Sequence, residues 1–124
     1  MKYLLDTHIV LWWLNDSPKL SAPLRELISS KDNFVVVSAA SVWEMRIKQS
    51  IGKLELPENF EEILSEQPFE RLSITTAHAH AVQQLPDIHR DPFDRMLIAQ
   101  AKLENLTLAT NDKLLKRYEV ECVY

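Results

Sequence analysis

Tyr3-Leu4-Leu5-Asp6-Thr7-His8-Ile9-Val10-Leu11-Trp12-Trp13-Leu14 is the stretch that decides the fold class. It opens as a short apolar run, the pattern of a buried strand, and meets a carboxylate at Asp6. It continues with Ile9, Leu11, Trp12 and Trp13 at helical spacing. A strand that ends on an acid and turns at once into a helix is an α/β signature. In open parallel sheets, ligands sit outside the carboxyl ends of the strands. Asp6 stands at such an end, and the other informative residues read as a ring around it.

Outward from this stretch, strands and helices alternate. Lys2–Asp6 reads as the first strand and His8–Leu14 as a short helix capped by Asp6 or Thr7. Ser21-Ala22-Pro23 opens a second helix reaching about Ile28, with Ser as cap and Pro just inside. Phe34–Val37 is a β-branched strand. Ser38 or Ser41 caps a third helix ending near Ile51-Gly52, where Gly52, the only glycine, suits a helix terminus. Asn59 caps a fourth helix to Glu66. Phe69–Ile74 is the third strand, and Thr75 or Thr76 caps a helix over Ala77–Leu85. Asp87–Arg90 is loop and Pro92–Glu104 a strongly apolar helix. Leu106–Ala109 is a strand, Asn111-Asp112 a cap, Lys113–Arg117 a short helix and Val120–Val123 a last strand. The alternation predicts an α/β fold, a central parallel sheet with helices on both faces.

The 124 residues make one domain with room for a proper core, 46% hydrophobic and 26% charged. The lone Cys122 cannot form an internal disulfide and suits a reducing cytoplasm. The apolar start is interrupted by Asp6 and His8 and is no signal peptide. No run approaches a membrane span. A net charge of −4 argues mildly against nucleic acid, unless divalent ions cancel several of the acids.

Four acids fit poorly with a solvated surface. Asp6 ends the first strand. Glu44 falls on one helix face with Ala40, Ile47 and Ile51. Asp94 lies in the first turn of the apolar helix, on the face of Leu97, Ile98 and Ala101. Asp112 follows the strand Leu106–Ala109. Each has a plainer explanation. Asp6 and Asp112 can be helix caps. Asp91-Pro92-Phe93-Asp94 reads as cap, Pro at N1 and acid at N3. Glu44 has Lys48 at i+4, a stabilising surface pair. These explanations leave two acids on apolar stripes. In a doubly wound sheet all four can converge over one edge, and clustered carboxylates take up protons unless a cation neutralises them. All-oxygen ligands suit Mg²⁺ or Mn²⁺, and such ions can activate water against a phosphodiester. The histidines do not read as ligands: His78 and His80 read as surface, while His8 and His89 adjoin the acids and can contact substrate.

These blocks resemble the PIN-domain nucleases, specifically the VapC-type toxins of bacterial type II toxin–antitoxin pairs. The resemblance rests on Leu4-Leu5-Asp6-Thr7-His8, on Ser41-Val42-Trp43-Glu44 with Lys48 and Gly52-Lys53-Leu54, on Arg90-Asp91-Pro92-Phe93-Asp94-Arg95 with Leu97-Ile98-Ala99-Gln100-Ala101, and on Thr110-Asn111-Asp112. It covers essentially residues 1–124 and implies a single PIN domain, a three-layer sandwich. It further implies that Asp6, Glu44, Asp94 and Asp112 are the catalytic, metal-binding acids, holding Mg²⁺ or Mn²⁺ for cleavage of tRNA, rRNA or mRNA. Thr7, Lys48, Arg95, Thr110 and Asn111 are the implied supporting and substrate-binding positions, and Asp91 belongs to the motif. A homodimer and a cognate antitoxin are the implied partners, without a membrane.

Two other α/β readings compete. A haloacid-dehalogenase-like phosphatase needs a second Asp two residues after the first, where His8 stands. A receiver domain wants an acidic pair at the first strand and a Lys at the last, where Glu121 and Cys122 stand. A non-catalytic interaction module is favoured only by the aromatic density of Ile9–Leu14, where Trp12 and Trp13 cannot both easily face the core. That density is expected to mark a partner surface. Arg46, Lys48, Lys53, Arg90, Arg95 and Lys113 are the candidate contacts to a nucleic-acid backbone.

Overall fold

A computed structural model describes residues 1–124. Five parallel strands form one sheet: β1 (Lys2–Leu5), β2 (Phe34–Ser38), β3 (Glu70–Leu72), β4 (Thr107–Ala109) and β5 (Cys122–Val123). Their spatial order is β3-β2-β1-β4-β5. The chain steps outward from β1 to β3, then returns to the other side of β1. The order therefore reverses between β1 and β4, and the carboxyl ends of those two strands flank the topological switch point. The register Leu5↔Ala109 brings them level, and the Asp6 N–H donates to the Ala109 carbonyl at 2.9 Å. Asp6 thus enters the crevice beside Thr110.

The core divides according to the alternation of the central strands. Leu5, Val35 and Val37 pack on one face with Ile9 and Val10 of α1 (Thr7–Leu14), Leu24, Leu27 and Ile28 of α2 (Ala22–Ser29), and Phe60 and Leu64 of α4 (Phe60–Glu66). Leu4, Val36 and Leu108 pack on the other face with Leu97, Ile98 and Ala101 of α6 (Pro92–Leu103). The helix α3 (Ala39–Ser50) contributes to both, Met45 to the first and Ala40 to the second. The predicted three layers are present. The edge strands are shorter than predicted from Phe69–Ile74 and Val120–Val123. Each is an edge strand with one neighbour and pairs only where that neighbour offers a ladder, at Val36–Ser38 and Leu108–Ala109.

The helix ends explain much of the layout. Ser21 caps α2 and Ser38 caps α3 through side-chain bonds to Leu24 and Ala40 N–H. Gly52 sits just beyond α3 at φ +76°. Gly52 and Lys53 N–H close on the carbonyls of Gln49 and Lys48, the Schellman pattern that favours glycine there. Asn59 precedes α4 without a side-chain cap bond. The predicted stripe on α3 fades along its length. Ala40 and Glu44 are buried, but Ile51 is 59% exposed, because it lies past the last helical turn.

Two expectations need correction. His78 is 1% exposed instead of surface. It closes a capping box with Thr75 at the start of α5 (Thr76–Gln83), its Nδ1 accepting from Thr75 N–H at 3.1 Å. Its Nε2 lies 3.2 Å from Glu104. A histidine that serves its own helix start need not point outward. Nor is Ile9–Leu14 the bare aromatic surface. Trp12 and Trp13 are both half-buried against the core, and Trp13 Nε1 donates to Gln67 at 3.0 Å. The exposed tryptophan is Trp43, 59% accessible and edge-on to Phe93 at 5.2 Å.

Candidate active site

Each of the four acids reaches the switch-point crevice by a different route. Asp6 occupies the cap position of α1, yet its side chain makes no capping bond. It accepts instead from Thr110 Oγ1 at 2.7 Å, while the same oxygen of Thr110 accepts the Asp112 N–H at 3.0 Å. One threonine therefore links the ends of β1 and β4. Burial pushes the Asp6 carboxyl up, opposed by the Thr110 bond and the His8 charge, with Glu44 adding to the rise.

Glu44 is 4% exposed. Its Oε1 accepts from Thr7 Oγ1 and its Oε2 from Lys48 Nζ, both at 2.7 Å. Thr7 and Ser41 hydroxyls stand 3.0 Å apart, tying α1 to α3. The surface-pair and buried-acid readings of Glu44 both hold, for Lys48 snorkels from a partly exposed position to a buried carboxylate. The bond to Glu44 raises the Lys48 pKa against desolvation, and Asp91 and Asp94 add to the rise.

Asp91 and Asp94 play separate parts. Asp91 Oδ1 accepts from Phe93 N–H at 2.8 Å and Asp94 N–H at 3.2 Å, capping α6 with Pro92 at N1. Asp94 does not complete a capping box. Its carboxyl is pushed to about 8 by burial first, then by the charges of Asp6, Asp91, Glu44 and Asp112. Those charges make Asp94 the meeting point of the acids. Asp112 uses Oδ1 to cap the short 3₁₀ turn Lys113–Tyr118 through Leu114 N–H at 3.0 Å. Its Oδ2 faces His89.

His89, read from the sequence as adjoining the acids and able to contact substrate, lies among the acids themselves. Its Nε2 lies 3.0 Å from Asp94 Oδ2 and 3.3 Å from Asp112 Oδ2, so His89, Asp94 and Asp112 present donor atoms close enough for one ion. It lies in a loop without periodicity, and only its closeness to Asp91 in the chain hinted at the site. Arg95 supports that loop. Its guanidinium donates to the carbonyls of Val82, Leu85, Pro86 and His89 at 3.0–3.4 Å. Those bonds commit Arg95 to the loop and the end of α5, so it is not displayed as a free substrate contact. Arg46 likewise lies over the Phe60 ring, 5.2 Å from its centroid. Asn111, Lys53, Arg90 and Lys113 are exposed.

The crevice offers carboxylate oxygens, hard donors suited to a hard divalent cation, with the His89 imidazole beside two of them. No helix is long and apolar enough to cross a membrane. A search of curated proteins returns no match. The fold is shared with VapBC2 from Rickettsia felis bound to a promoter DNA fragment (TM-score 0.75, 22% identity, 99% of this chain and 98% of that one). It is also shared with FitAcB from Neisseria gonorrhoeae (0.69, 23%, 98% and 96%) and with DNA-bound VapBC from Salmonella typhimurium (0.70, 18%, 99% and 97%). The family model of the PIN domain matches residues 3–121, which sets aside the phosphatase and receiver alternatives. A sheet that reverses between β1 and β4, with acids from four segments gathered there, is the arrangement to which that match corresponds, and the chain belongs to the PIN domain family.

Proposed function

We propose that this chain, a single PIN domain over residues 1–124, is a metal-dependent endoribonuclease acting as the toxin of a toxin–antitoxin pair. The observation that carries this reading is the convergence of Asp6, Glu44, Asp94 and Asp112 on the switch-point crevice, where burial and neighbouring carboxylates raise the Asp94 carboxyl to about 8. So much uncompensated negative charge in one crevice favours a divalent cation. Asp6, Glu44, Asp94 and Asp112 are the residues that would hold Mg²⁺ or Mn²⁺. When bound, such an ion supplies an activated water and charge stabilisation for phosphodiester hydrolysis.

The chain's own groups have supporting tasks. Thr110 holds Asp6, and Thr7 with Lys48 holds Glu44. Asp91 fixes the first turn that carries Asp94. Lys48 is the cation nearest the acids and the first candidate for a phosphate contact, with Asn111, Lys53, Arg90 and Lys113 exposed to extend it. The RNA class is tRNA, rRNA or mRNA. The lone Cys122 suits a cytoplasmic setting. The VapC-like motif set and the fold shared with VapBC assemblies support a cognate antitoxin.

Total tRNA incubated with the purified chain is expected to be cleaved in Mn²⁺ or Mg²⁺ and to survive in excess chelator. Cleavage that persists in chelator removes metal from the mechanism. The reading also includes a homodimer, supported by the exposed Trp43 beside Phe93. Light scattering on the antitoxin-free chain is expected to return twice the mass of one chain. A monomer at micromolar concentration removes the dimer.

A further inference from the structure

We infer that His89 is a positioning residue that ties Asp94 to Asp112 and so sets the spacing at which these two carboxylates meet a divalent cation; this rests on the metal-dependent reading above. Asp94 rides on α6, whereas Asp112 follows β4. No backbone element joins their side chains, and like charges in a half-buried crevice drive them apart. His89 is the group that reaches both, its Nε2 lying 3.0 Å from Asp94 Oδ2 and 3.3 Å from Asp112 Oδ2. For Asp94 it is the only side-chain partner, and for Asp112 it engages the oxygen left free by the cap to Leu114.

The ring's tautomer follows from its other contact. His89 Nδ1 accepts from the Asp91 N–H at 3.1 Å, which leaves the ring proton on Nε2, the nitrogen beside the two carboxylates. In that form the imidazole turns a polar N–H edge toward the acids and offers no lone pair to an ion. It acts as metal-site partners of carboxylates do, orienting them from outside. Apart from the Asp91 N–H, the loop's backbone is fixed without the ring. Arg95 donates to the His89 carbonyl at 3.3 Å, and the Tyr118 hydroxyl, buried within the 3₁₀ turn, contacts both the N–H and the carbonyl of His89. A side-chain substitution at 89 therefore removes the tie and the acceptor of the Asp91 N–H, and leaves the Arg95 and Tyr118 anchors in place.

The test is calorimetric titration of the full chain with Mn²⁺, comparing the parent with His89→Ala and His89→Gln. Glutamine returns an amide N–H to the place of Nε2. His89→Ala is expected to weaken Mn²⁺ binding about 10–100-fold, with His89→Gln recovering most of it, and the cleavage lost in His89→Ala should return as Mn²⁺ is raised. Unchanged affinity in His89→Ala overturns the inference. So does tighter binding, which would make His89 a competitor of the ion, and so does a Gln variant as weak as Ala, which would make the imidazole itself the required group. A parent chain that binds no Mn²⁺ overturns the metal reading itself, an outcome distinct from equal binding by all three.

Discussion

Asp94→Asn is expected to raise the melting temperature of the metal-free chain at pH 8 by roughly 8 °C while abolishing stabilisation by Mn²⁺ and RNA cleavage. Asp94 is held up at about 8, from an ordinary 3.8, by burial and by its acidic neighbours. Such a group binds its proton more tightly in the folded chain than in the unfolded one. Its contribution is complete below pH 3.8 and is lost as pH rises through about 8. Asp6 is raised too and adds in the same direction. Without metal, the parent should therefore weaken on going from acid to pH 8, and the variant should weaken less. Because Asp94 is partly open to solvent, about 2 kcal/mol is the scale of the relief, well below the full conversion of the shift.

Asp91→Asn supplies the contrast. Asp91 accepts two N–H groups at the start of α6, and Asn caps helices about as well as Asp. Fold, Mn²⁺ response and most of the cleavage should survive. Melting curves with and without Mn²⁺, together with cleavage assays, compare the two variants directly. If Asp91→Asn is the one that loses the Mn²⁺ response, cap and ligand have been assigned in reverse.

The legible part of this chain was the part fixed by local pattern. The strand–acid–helix junction at Asp6 predicted the parallel sheet, and the Asp91-Pro92 cap was readable because capping depends on neighbours in sequence. That Asp6 leaves its capping role to meet Thr110 was not readable. The bond joins residues at opposite ends of the chain and exists only because β1 and β4 pair. His78 misled for a related reason: polarity suggested surface, but a capping box and Glu104 satisfy the ring inside. His89 and Arg95 were both read as possible substrate contacts, and neither reading foresaw their partners. The basic residue in the motif serves carbonyls, and the histidine in the unpatterned loop reaches the acids. Hydrogen-bond partners that distant have no periodicity to reveal them.

Glu44→Gln is the sharper test of whether charge or shape at the crevice matters. Glutamine keeps the volume of Glu44 and one acceptor oxygen, but it cannot accept from both Thr7 and Lys48. Glu44 Oε2 faces the Lys48 ammonium, and an amide placed with its nitrogen there would set donor against donor. The amide therefore presents its oxygen to Lys48 and its N–H to Thr7, whose hydroxyl can reverse and accept. The ion pair becomes an ordinary hydrogen bond, and Lys48, about a third exposed, can turn to water. Stability should thus change by no more than about 1 kcal/mol, unlike the gain expected for Asp94→Asn, because Glu44 already has a cationic partner in Lys48 and Asp94 is paired with no lysine or arginine. Cleavage should nevertheless fall by about 100-fold or more, about 3 kcal/mol of barrier, since a neutral amide is a poor ligand for a hard divalent ion. A Glu44→Gln chain that melts like the parent yet cleaves as fast would reduce Glu44 to a buried strut between Thr7 and Lys48, and the metal would then have to be held by the three aspartates alone.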